Sequence, residues 1–76
     1  MEKHDLHHEF PQFEAKIHDM KVNDAHFRKL FDEYHEVNNH IHSIESGATT
    51  ASDEHLNEFR HRRVGLKDQL FKLLSA

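Results

Sequence analysis

Between Phe27 and Ile44 the apolar residues Phe27, Leu30, Tyr34, Val37, Ile41 and Ile44 recur at steps of 3, 4, 3, 4 and 3. That alternation is the signature of a helix with one continuous apolar seam. A seam left in water is costly, so the rest of the chain must supply a cover. With Phe27 written at heptad position a, all six residues fall at a or d.

The cover is written further along. Leu56, Phe59, Arg63, Leu66, Leu70 and Leu73 repeat at 3 or 4, with Arg63 the one departure from apolar character. Between the seams lies SGATTAS, residues 46–52, small and polar, with Gly47 suited to the left-handed turn that ends a helix. Ser52 is a good N-cap, and Asp53 and Glu54 follow where the helix dipole favours acids. A loop of this length joins antiparallel helices. Pairing positions whose numbers sum to 100 sets Ile44 against Leu56, Ile41 against Phe59, Val37 against Arg63, Tyr34 against Leu66, Leu30 against Leu70 and Phe27 against Leu73. Each a position then meets a d position, and Glu45 and Arg60 come close enough to pair. The stem of Arg63 is expected to pack on Val37 while its guanidinium reaches Glu33, Glu36 or water.

A shorter helix precedes the two. Pro11 is suited to a first helical position, Phe13, Ile17 and Met20 follow at 4 and 3, and Asn23 and Asp24 interrupt. The fold class expected is all-α: an antiparallel two-helix hairpin, coiled-coil-like, preceded by a short N-terminal helix. The helices are placed at 11–22, 25–45 and 53–74, in one domain from 11 to 76, after a polar, flexible leader over 1–10. Seventy-six residues sit near the lower limit for a chain folding alone. A core of this size yields only about 3–5 kcal/mol, and without cysteine no disulfide or thiolate-bound metal can add to it.

Apolar residues off the seam gather at the end away from the loop. Phe31, Phe71 and Leu74 lie there beside Phe27, and the short helix brings Phe13 and Ile17. A two-helix pair has one seam to bury, so this surplus needs another partner. Either the short helix folds down as a lid, or a second copy docks, or both. Phe13, Ile17, Phe27, Phe31, Phe71 and Leu74 are therefore the candidate interaction residues, with a homodimer or an unidentified protein as partner.

The residues FPQF, HFRKLFDEYHEVNNHI and LKDQL, within a stretch running from Phe10 to Leu74, resemble the YdcH-like family of small bacterial proteins. The resemblance implies a short helical hairpin and brings no activity with it. It carries Phe27, Leu30, Phe31, Leu66, Lys67, Asp68 and Leu70 over as packing and helix-surface positions. Gly65 and the histidine-rich leader depart from the pattern.

Other chemistry is thinly represented. Arg60, Arg62, Arg63 and Lys67 form a basic stripe that offers an alternative function as a nucleic-acid-binding regulator. Against it stand a net charge of −4 and aromatics that fall on the seam rather than among the basic residues. The ten histidines would add ten charges on full protonation and take the chain to +6. A pH-responsive regulator is thus a rival reading, marked by a cooperative change in helicity or assembly between about pH 7 and 5.5. His4 and His8 are spaced to share an ion on a helix, His40 and His42 are not, and neither HExxH nor a four-ligand set is present. The expectation is no metal and no cofactor. The serines cluster in the loop and at the tail, and a hairpin this small offers no concave pocket, so no enzyme activity and no small-molecule substrate are expected. Without an apolar run long enough to span a bilayer or form a signal-peptide core, no membrane association is expected and the protein is placed in the cytoplasm.

Overall fold

The computed structural model describes residues 6–76, the side chain of His7 excepted. Four stretches are α-helical: α1 (Leu6–Glu9), α2 (Glu14–Asn23), α3 (Ala25–Glu45) and α4 (Asp53–Ser75), with a 3-10 turn over Pro11–Phe13 between α1 and α2. Among the described residues there is no strand, and the fold is all-α.

Local chemistry sets each boundary. Asp24 takes an extended conformation (φ −127°, ψ 105°) and its Oδ1 accepts from the Phe27 amide at 3.0 Å, capping α3. At the far end of α3 the chain turns through Gly47 at φ +84°, with the Gly47 amide on the Ile44 carbonyl and the Thr49 amide on the Ser43 carbonyl. Ser52 then caps α4, its Oγ accepting from the His55 amide at 3.1 Å. The α3 and α4 limits agree with the sequence pattern to within a residue.

The amino-terminal region differs. The expected helix over 11–22 is a 3-10 turn over Pro11–Phe13 followed by α2, with Phe10 outside helical geometry (φ −130°, ψ 63°) and the α-ladder beginning at Glu14. The expected flexible leader over 1–10 also needs correction from Leu6 onward. Leu6 is fully buried and Phe10 is 8% exposed, and the Phe10 amide donates to the Leu6 carbonyl at 2.9 Å. Apolar burial overrides the polar look of the surrounding LHHE. The rest of that leader, residues 1–5, lies outside the described residues.

The core is one cluster. Phe27, Leu30, Tyr34, Val37 and Ile41 of the α3 seam are buried, with Leu66, Leu70 and Leu74 of α4. α4 packs on α3 more extensively than any other pair of elements, and α2 packs on α3 next. Burial along α4 is graded: Leu56 and Phe59 near the loop are half-buried, whereas Leu66 and Leu70 are buried. At its end the buried position moves from Leu73, half-buried, to Leu74, 1% exposed. The amino-terminal segment supplies a third packing surface there, which the seam near the loop lacks.

Candidate functional site: the covered aromatic end

Phe27, Phe31, Leu70 and Leu74 are buried in one cluster, and the chain's own amino-terminal segment packs on it. Ile17 of α2 is fully buried and Met20 packs against the same cluster. Beyond it, Phe10 and Phe13 meet Phe71 of α4, with ring centroids 5.3 Å (Phe10–Phe71) and 6.0 Å (Phe13–Phe71) apart. Phe27 and Phe31 stack at 6.1 Å on the α3 side. Aromatic pairs at such separations add about 0.5–1.5 kcal/mol beyond their burial.

Of the six candidate interaction residues, Ile17, Phe27, Phe31 and Leu74 are thus core residues of the closed molecule, and Phe13 is half-buried. Phe71 is 40% exposed, the one of the six on the surface. Leu6 and Phe10 belong to the same assembly and were missed. Their signal was available: Leu6, Phe10, Phe13 and Ile17 are spaced 4, 3 and 4, the helical rhythm that identified α3.

Polar contacts rim the cover. Lys67 Nζ donates to Glu9 Oε2 at 2.8 Å and lies 5.8 Å from the Phe10 ring centre. Lys16 Nζ donates to the carbonyl oxygen of Ala76 at 2.9 Å, and Lys21 Nζ stands 4.7 Å above the Phe31 ring. Lysine stems lie along apolar surface here while their charges reach acceptors or ring faces.

The basic stripe is partly used within the chain. Arg60 pairs with Glu45 at 3.5 Å, as their e positions allow, and Lys67 is held by Glu9. Arg62 is exposed and Arg63 half-buried. Among the described residues His40 stacks on Phe59 at 5.2 Å, His55 meets the same ring edge-on at 4.9 Å, and His35 meets Phe31 at 4.5 Å. Among the described residues no three His, Asp or Glu side chains gather closely enough to hold a metal ion. In the same range no helix is long and apolar enough to cross a membrane.

With the covered end defined, comparison locates the chain among known families. A family model described as "Protein of unknown function (DUF465)" matches residues 27–74. The chain belongs to the DUF465 family. The match begins at the first seam residue of α3 and ends at the last buried leucine of α4, so the DUF465 segment is the α3–α4 pair with its loop. Membership is compatible with the YdcH-like resemblance and brings no activity. No curated protein and no solved structure matches.

Proposed function

We propose that this DUF465 protein is a non-enzymatic, cytoplasmic protein–protein interaction module of YdcH-like type, acting as a structural or regulatory adaptor and able to form a homodimer. Its working surface is the aromatic end of α3 and α4. These two helices run antiparallel as a hairpin, a reading supported by the short loop and by the Glu45–Arg60 and His40–Phe59 contacts next to it. One observation carries the functional reading. The aromatic end is closed by a separate segment, Leu6 to Met20, whose apolar residues fill the surface α3 and α4 leave open. A surface that accepts one amphipathic segment has the shape and chemistry to accept another.

The test is site-specific photocrosslinking in cells expressing the full chain. A photoreactive side chain at Phe71 is expected to give discrete protein adducts, and one at the exposed His42 near the loop is not. Equal adduct patterns from both positions would remove the aromatic end as the working surface. The nucleic-acid alternative is less favoured because Arg60 and Lys67 already pair with carboxylates of the chain itself.

A further inference from the structure

The segment that closes the aromatic end is joined to the rest of the molecule by one residue. α2 ends at Asn23 and α3 begins at Ala25, so Asp24 alone makes the corner. Its hydrogen bonds already belong to both helices. The Asp24 amide donates to the Met20 carbonyl at 2.9 Å, as in a continuing α2, and the Asp24 carbonyl accepts from the Arg28 amide at 3.0 Å, as in an α3 begun earlier. The backbone leaves helical geometry there, with ψ at 105° rather than near −42°.

Rotation about this corner into helical geometry would merge α2 and α3 into a single helix from Glu14 to Glu45, about 48 Å long at 1.5 Å per residue. The amides of Ala25, His26 and Phe27 would then bond to the carbonyls of Lys21, Val22 and Asn23. One hydrogen bond at the corner would be lost, the Phe27 amide on Asp24 Oδ1, and the contact of Lys21 with the Phe31 ring of its own chain would be broken. Straightening also lifts Leu6, Phe10, Phe13 and Ile17 away from the aromatic end of their own chain. Leaving both sets in water is unfavourable, and the surface best fitted to that segment is the same end of another copy. It offers the partners the segment already has: Phe71 for Phe10 and Phe13, and Lys67 for Glu9.

We infer that the protein forms a reciprocal, segment-swapped dimer in which residues 6–23 of each copy close the aromatic end of the other, with the Asp24 cap holding the closed monomer against it. Two copies related by a two-fold axis satisfy each other at once, so the assembly closes at two. This deepens the interaction reading and rests on it: the second copy is the partner of that surface.

Two substitutions at the corner push in opposite directions. Asp24→Ala removes the cap and favours helix, and it is expected to lower the dimer dissociation constant by at least about tenfold, since both copies lose the cap. Ala25→Pro occupies the first position of α3, where no amide donor is needed, and holds Asp24 extended. That chain is expected to stay monomeric at every concentration, and circular dichroism would verify that each variant remains folded. The exchange itself is read by mixing. Glu9→Cys and Lys67→Cys are placed in separate chains, which have no other thiol. The chains are unfolded together, refolded at high concentration and oxidised. Disulfides joining one chain of each kind are expected in clear excess over like-with-like pairs. Dimers with only a statistical mixture, or an Ala25→Pro chain that dimerises as wild type does, would overturn the swap while leaving an interaction surface elsewhere. Monomers from all three chains would overturn it too, and photocrosslinking at position 71 would then judge the interaction reading alone.

Discussion

Lys67 on α4 reaches across 58 residues of sequence to Glu9, its Nζ 2.8 Å from Oε2. This ion pair fastens the outermost turn of the amino-terminal segment to the DUF465 helices, and it sits beside the Phe10 ring that Lys67 also approaches. Glu9 is 21% exposed at its side chain and Lys67 37%, so water screens the pair in part. It positions the segment, and the apolar contacts beneath hold it.

A double-mutant cycle checks that division. Glu9→Gln and Lys67→Met are each expected to lower stability by about 0.5–1 kcal/mol, with a coupling near 0.5 kcal/mol. In a chain of this size that corresponds to a fall of a few degrees in Tm. Additive effects with no coupling, measured by thermal melts in low salt, would mean the pair contributes nothing to closure.

Core truncations should be unequal at the two ends. Ile17 is fully buried under the cover, whereas Ile44 near the loop is half-buried. Ile17→Ala is expected to cost about 2–5 kcal/mol and Ile44→Ala about 1 kcal/mol. Phe31→Ala combined with Phe71→Ala should likewise lower Tm more than Ile44→Ala. Urea titration of each variant measures this directly. Equal losses at the two ends would show that the third packing surface adds no stability.

The α3–α4 pair was legible because its period is long, uninterrupted and ended by recognisable caps. Asp24, Gly47 and Ser52 each perform the local task their residue type suggests, and Glu45 and Arg60 pair at 3.5 Å. The first ten residues were not legible in the same way. Leu6 and Phe10 stand among His4, His7, His8 and Glu9, and their period becomes readable only when it is continued through Phe13 and Ile17. Phe10 packs on an aromatic surface assembled from Phe13 and Phe71, far apart in sequence. Phe13, Ile17, Phe27, Phe31, Phe71 and Leu74 all pack at one apolar end, but which of them faces water was not legible. Burial of Phe31 and Leu74 and exposure of Phe71 depend on how a third element crosses the pair, and neither seam records that crossing.

The two glycines should respond with opposite sign. Gly65 lies within α4, and a Cβ added there meets nothing within 4 Å. Gly65→Ala is expected to stabilise the chain by about 0.5–1 kcal/mol through helix propensity. Gly47 has equal space, but its φ of +84° disfavours any side chain. Gly47→Ala is expected to destabilise by about 1 kcal/mol. Chemical denaturation of the pair separates backbone preference from packing, since neither substitution creates a clash. If Gly65→Ala destabilised, the middle of α4 would need a flexibility that its regular helix does not show.

The basic stripe gives the last expectation. A fluorescent single-stranded RNA titrated with the protein at about 150 mM salt is expected to show no saturable anisotropy change, because net charge is −4 and two of the four stripe residues are already held by carboxylates. Lowering the salt should reveal at most weak binding with a shallow slope. Each phosphate neutralised contributes about 0.7 to that slope for single strands, so full use of Arg60, Arg62, Arg63 and Lys67 would give a value near 3. A slope of that size, abolished by Arg62→Ser with Arg63→Ser and increased in affinity by Glu45→Gln with Glu9→Gln, would show the carboxylates to be competitors for a nucleic-acid site. The interaction reading would then yield to the alternative.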